Sequence, residues 1–190
     1  MMKRHPLARR RTLLGMLIAA PLPAAAQFDS LTVKPIVKAV REGDEQTVRQ
    51  QLLKGESPNQ IDASFQPLLM VAVVAGHTGV VETLLKGGAV PDTADREGYT
   101  SLIRAAERGF ADIVEALLKR NARPNAQSRQ GVSAMMVAAR LGNAEIVRLL
   151  LDKKADPNLA DFTGRTAMAY ARQAGRTSIE AMLRRAGGRD

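Results

Sequence analysis

One spacing, 33 residues, runs through the chain and decides what it can fold into. Gly43, Gly76, Gly109, Gly142 and Gly175 keep it, and so do Ala39, Ala72, Ala105, Ala138 and Ala171. Pro58, Pro91, Pro124 and Pro157 follow the same step. Leu52, Leu85, Leu118 and Leu151 form one apolar column, and Val48, Val81, Val114 and Val147 another. No insertion breaks the register over about five units. A fixed period in this range marks a solenoid, in which one small unit stacks on the next and no unit buries a core alone. Only 3% of the residues are aromatic and none is Trp, so the core must be built from Leu, Val, Ala and Met. Helical stacks with small residues at their close contacts suit that supply.

Each period reads as two helices. Ile113, Val114, Leu117 and Leu118 fall at i, i+1, i+4 and i+5, one apolar face of a second helix. Thr100, Ser133 and Thr166 stand where first helices begin, and a hydroxyl there can accept from an orphan N–H. The periodic glycines end the first helices, where a left-handed residue makes the short turn. The predicted helix pairs are 35–41 with 44–54, 67–75 with 78–86, 101–108 with 111–120, 134–141 with 144–153, and 167–174 with 178–186. Pro58-Asn59, Pro91-Asp92, Pro124-Asn125 and Pro157-Asn158 turn the chain into the next unit.

The net charge of +9 suggests nucleic acid, but its distribution argues otherwise. Lys3, Arg4, Arg9, Arg10 and Arg11 lie in the first 26 residues with no acid among them, so the rest of the chain carries only +4. That remainder is interspersed with acids, as an ordinary solvated surface is. The leading segment has a positive start, a short apolar run (Leu13 to Ala20), a proline break and a small-residue cleavage site after Ala26. This is the three-part form of a secretory signal peptide. The apolar run is far short of the ~20 residues that span a bilayer. Arg10-Arg11-Thr12-Leu13-Leu14 also resembles the twin-arginine export motif, so general and twin-arginine routes both stay open. The expected organisation is a signal peptide at 1–26, a lead-in at 27–33, and a repeat array at 34–187. The array divides into 34–60, 61–92, 93–125, 126–158 and 159–187, with a tail at 188–190.

The stretch GYTSLIRAAERGFADIVEALLKRNARPN (Gly98 to Asn125) resembles an ankyrin repeat, followed in quality of match by GHTGVVETLLKGGAVPD and LGNAEIVRLLLDKKADPN. The resemblance spans roughly residues 34 to 187. It implies an all-α solenoid of helix-turn-helix units with outward-pointing β-hairpins and a concave face. Three departures stand out. The family's hairpin-proximal His is replaced by Met70, Ile103, Met136 and Ala169, so packing must take over its loop-tying bonds. Phe65 stands where other units have Gly98, Gly131 and Gly164, so the hairpin of repeat two is expected to take another shape. Glu180 and Arg184 replace the Val and Leu of earlier units, which reads as a C-terminal cap with a soluble outer side.

Chemistry is sparse. After the leader the chain has one His, His77, at the family's Gly-His turn position, and there is no Cys anywhere. Neither a thiolate nor a zinc site is expected, nor any cofactor. Asp44/Glu45 favour the dipole at a helix start, and Asp62, Asp95 and Asp161 read as turn formers. Met70, Met135, Met136 and Met168 read as core filling. The resemblance places a partner at the hairpin tips and the exposed ends of the first helices. The candidate contacts there are Arg96, Glu97, Tyr99, Glu107, Arg108, Arg129, Gln130, Val132, Arg140, Phe162 and Arg165. Arg and aromatics dominate protein interfaces, and a stripe of Arg suits an acidic partner. The expectation is a periplasmic, monomeric, non-catalytic scaffold for a protein partner. Nucleic acid is excluded, and the membrane is met only during export. The alternatives are a secreted effector that binds a host protein and, in another class, a hydrolase using surface carboxylates.

Overall fold

The computed structural model describes residues 34–189. The expected leader at 1–26 and lead-in at 27–33 lie outside the described residues, as does Asp190 of the tail. Ten helices appear among the described residues: α1 (Pro35–Glu42), α2 (Glu45–Leu53), α3 (Leu68–Ala75), α4 (Thr78–Lys86), α5 (Ser101–Arg108), α6 (Ala111–Lys119), α7 (Ala134–Leu141), α8 (Ala144–Asp152), α9 (Ala167–Gln173) and α10 (Thr177–Arg185). They form five antiparallel pairs in two layers. The odd-numbered helices pack side by side in one layer and the even-numbered helices in the other.

Local chemistry sets the helix ends. Thr100, Ser133 and Thr166 accept from the backbone N–H of Ile103, Met136 and Ala169, the capping expected of a hydroxyl. Gly43, Gly76, Gly109 and Gly142 close α1, α3, α5 and α7 with φ of +74 to +81°. His77 has a structural place: its ring lies over Gly43, and Nε2 donates to the Arg41 carbonyl at 3.1 Å.

The core lies between the layers and between neighbours. The alanine column at 39, 72, 105, 138 and 171 is 0–3% exposed, which lets the odd helices approach closely. Val48, Val81, Val114 and Val147 are fully buried, as are Leu84, Leu117 and Leu150. Met70, Met135, Met136 and Met168 fill this core. Burying one such Leu contributes ~1.5–3 kcal/mol, while ordering each residue's backbone costs ~1–2 kcal/mol. A unit of this size therefore depends on its neighbours.

The connecting loops carry a second set of contacts between repeats. Asn59, Asp92, Asn125 and Asn158 do more than turn the chain. Each side-chain oxygen accepts from a backbone N–H 31 residues on, at Val90, Arg123, Asp156 and Arg189. These bonds are 2.8–2.9 Å long. Gln127 Nε2 donates to Gly131 O of its own repeat and to Ala160 O of the next. It thereby performs the loop-tying expected of packing alone once the His was lost.

The hairpin of repeat two corrects an expectation. Phe65 does not give it another shape. Its bonds, Asp62 N–H to Gln66 O and Phe65 N–H to Asp62 O, repeat those at Asp95/Tyr99/Gly98, Ser128/Val132/Gly131 and Asp161/Arg165/Gly164. Phe65 simply takes up the left-handed φ of +61° that glycine holds elsewhere. What changes is the junction with the next hairpin. Arg129 N–H donates to Glu97 O (3.1 Å) and Phe162 N–H to Gln130 O (3.2 Å), linking hairpins three, four and five in a ladder. Among the described residues no equivalent bond joins Arg96 N–H to Ser64 O. The cause is steric: a Cβ on Gly98 or Gly131 would lie 2.9 or 2.7 Å from the very nitrogen that donates. The Cβ that Phe65 does carry holds hairpin three off, and the Arg96 guanidinium covers the Phe65 ring at 4.4 Å instead. Gly131→Ala is expected to destabilise the protein by roughly 1–3 kcal/mol, combining left-handed strain with a lost ladder bond. Phe65→Gly should cost nothing or stabilise, since it relieves that strain. Urea melts decide; a Gly131→Ala variant as stable as the parent contradicts the steric account.

Candidate protein-interaction face

The hairpins and the exposed ends of the odd helices form one side of the array, and the expected contacts divide there into supports and free groups. A column of buried acids organises the supports. Asp62, Asp95 and Asp161 are 5–9% exposed, and each Oδ1 accepts from two backbone N–H groups of its hairpin. The turn-former reading was incomplete, because each second carboxylate oxygen takes a cation. Arg41 of repeat one reaches Asp62 at 2.7 Å, Arg104 reaches Asp95 at 2.7 Å, and Arg165 reaches Asp161 at 3.1 Å. In repeat four the column holds Ser128, and the position of Arg104 holds Val137. The acid and its cation are lost together.

Burial works against ionisation of Asp161. Hydrogen bonds from Thr163, Arg165 N–H and the Tyr170 hydroxyl outweigh it and hold the carboxyl well below the usual range. Asp62 is also lowered: burial opposes ionisation, and the bonds from Arg41, Gln66 N–H and Ser64 N–H overcome it. Burial and the neighbouring Asp161 carboxylate raise the Tyr170 hydroxyl.

Several expected contacts therefore serve the fold. Tyr99 is half-buried beneath Arg104, whose guanidinium sits 4.0 Å from the ring centroid. Glu107 is half-buried and accepts from Arg104 at 3.0 Å. Arg165 is exposed but engaged by Asp161, Val132 packs against the core, and Gln130 accepts from Ser128 Oγ. Glu97 is exposed, with its carboxylate 3.9 Å from Arg104. Arg96 lies over Phe65. Arg108, Arg129 and Arg140 are exposed with no ion pair among the described residues. Phe162 is 75% exposed at its hairpin tip.

The structure brings Tyr99, Glu107, Val132 and Arg140 around one small cavity of 70 Å³, with Met136, Val137 and Tyr170. Arg140 and Tyr170 also wall an adjoining cleft of 310 Å³, with Arg165 and Gln173. Tyr170 was missed from sequence. It stands at the Arg104 position of its unit and is one of only two tyrosines in the chain. A larger cavity, of 510 Å³, lies on the other layer between α4 and α6. It is the groove between two ridges whose charges already pair, Glu82 with Lys86 and Glu115 with Lys119. Among the described residues no three His, Asp or Glu side chains gather as a metal site, and no helix is long and apolar enough to cross a membrane.

Comparison with known families agrees with this architecture. A family model described as ankyrin repeats (3 copies) matches residues 36–128, and one described as ankyrin repeats (many copies) matches 117–171. The chain belongs to the ankyrin-repeat family. Arrays of this family are scaffolds for protein–protein interaction, and protein partners are implied here. No curated protein matches the chain.

A carboxyl lowered by folding contributes stability above its unfolded pKa, about 3.9, and loses that contribution as pH falls through the folded value. Stability should therefore drop below about pH 4 as Asp161 and Asp62 protonate. Asp161→Asn should be less stable at pH 7 and show a shallower fall with acid. Urea melts at both pH values test this; an unchanged pH dependence in Asp161→Asn contradicts the assigned role.

Proposed function

We propose that the protein is an exported, periplasmic scaffold that binds an acidic protein surface through its hairpin and first-helix side, as a monomer and without catalysis. One observation carries the reading: Arg108, Arg129 and Arg140 are exposed and without an ion pair among the described residues, on a side where Arg41, Arg104 and Arg165 have each found a carboxylate. Free guanidinium groups present a planar fork of donors to carboxylates. Charge beyond internal pairing is what steers an oppositely charged partner. Export is supported by the basic start, short apolar run and small-residue site of residues 1–26. The absence of catalysis is supported by the engagement of the buried acids in holding hairpins. The modest charge after the leader favours protein over nucleic acid.

Affinity purification from periplasm with the parent and with Arg108→Ala, Arg129→Ala and Arg140→Ala combined tests the binding face. The partner should be retained by the parent, released progressively by salt, and lost with the triple variant. Recovery of the same proteins with both forms contradicts this face. Mass spectrometry of the periplasmic protein should find Gln27 at the N-terminus; a protein retained in the cytoplasm contradicts export.

A further inference from the structure

Resting on that reading, we infer that Arg140 is the anchor for one acidic side chain of a partner's peptide segment, seated between Val132 and Tyr170. The repeat itself supplies the precedent. Arg41 and Arg140 hold the same position in their units, three periods apart. Arg41 bonds Asp62, 21 residues on, at 2.7 Å. The residue 21 beyond Arg140 is Asp161, equally buried, but its oxygens are already taken. Oδ1 accepts from Thr163 N–H, Thr163 Oγ1 and Arg165 N–H, while Oδ2 accepts from Arg165 Nε and from the Tyr170 hydroxyl at 2.7 Å. Arg140 is thus a guanidinium placed where its counterpart receives a carboxylate, with that carboxylate saturated by two other side chains.

The surroundings define what it can take. The hairpin and first helix of repeat four offer no acid of their own, since Ser128 fills the Asp position and Gln130 follows it. Glu107, the carboxylate that lines the same cavity, is held by Arg104 at 3.0 Å, and Arg165 is neutralised by Asp161. One unpaired guanidinium beside an occupied carboxylate suits a single negative charge rather than a doubly charged phosphate. The apolar walls, Val132, Val137 and Tyr170, favour an acid flanked by an apolar residue. Arg129, also unpaired and on the adjoining hairpin, lies on the same side of repeat four, so a segment rather than a lone small acid gains from both.

The test uses a displayed library of random 12-residue peptides against the full chain as purified from the expressing cell. Recovered sequences should share an Asp or Glu beside an apolar residue. They are then made as C-terminal amides lacking Tyr and Trp. The chain has two tyrosines and no Trp, and both tyrosines line this cavity, so tyrosine emission reports binding at the site. Arg140→Gln should weaken binding about 10- to 100-fold, the range of a charge-assisted hydrogen bond. Arg140→Lys should fall between, because charge survives and the fork does not. Arg148→Gln, an exposed arginine on α8, should leave affinity unchanged. Changing the peptide's acid to its amide should add no further loss in Arg140→Gln. Equal thermal melts establish that the exposed substitutions leave the fold intact. No binders, binders without acids, equal weakening by Arg148→Gln, or dependence on a free C-terminus or a phosphate would each overturn the inference. If Arg140→Gln has no effect while the triple variant still loses its periplasmic partner, this anchor fails and the broader reading stands.

Discussion

Contact between neighbouring repeats is the constraint on which everything else in this protein depends. A pair of helices of eight and nine residues cannot bury enough side chain to offset its own ordering. Every unit here is completed by the next. The alanine column brings the odd helices together, the Asn and Asp side chains reach 31 residues forward to hold the following loop, and the hairpins of repeats three to five bond tip to tip. The side chains freed from this task form the surface available to a partner.

The ladder of hairpins is unequal along the array, and one residue explains why. Repeats three to five are joined by backbone bonds that pass where Gly98 and Gly131 have no side chain. Phe65 removes that clearance at the junction of repeats two and three, and a cation over an aromatic ring replaces the bond. An exposed contact of that kind is worth about 0.5–1 kcal/mol, which recovers part of what the absent bond would give. The hairpin bearing Arg129 therefore lies in the continuously bonded part of the stack, bonded on both sides. A binding group gains from such a mount, since less freedom is lost when a partner arrives.

Much of this was legible in the sequence because period and packing are the same fact. The glycine, alanine and valine columns mark turns, close contacts and core, and the Thr/Ser caps follow from elementary helix chemistry. The site was less legible. Tyr99, Glu107 and Arg165 have the composition of an interface, but each is drawn into supporting an acid or its cation. Spacing alone cannot say whether an Arg faces a partner or a buried Asp, since the pairing reaches across 4, 9 or 21 residues according to the repeat. Tyr170 was hidden for the same reason, holding Asp161 in a position occupied by Lys, Val or Arg elsewhere. The Phe65 junction needed three dimensions, because the hairpin's own bonds hide the change.

Amide hydrogen exchange on the folded chain tests the central claim, that the hairpins are bonded one to the next from repeat three onward and that Phe65 interrupts the series. The account predicts that the N–H groups of Arg129 and Phe162 exchange slowly, in the range of the buried helices, while the N–H of Arg96 exchanges rapidly. Equal protection at Arg96, Arg129 and Phe162, or rapid exchange at all three, would contradict it.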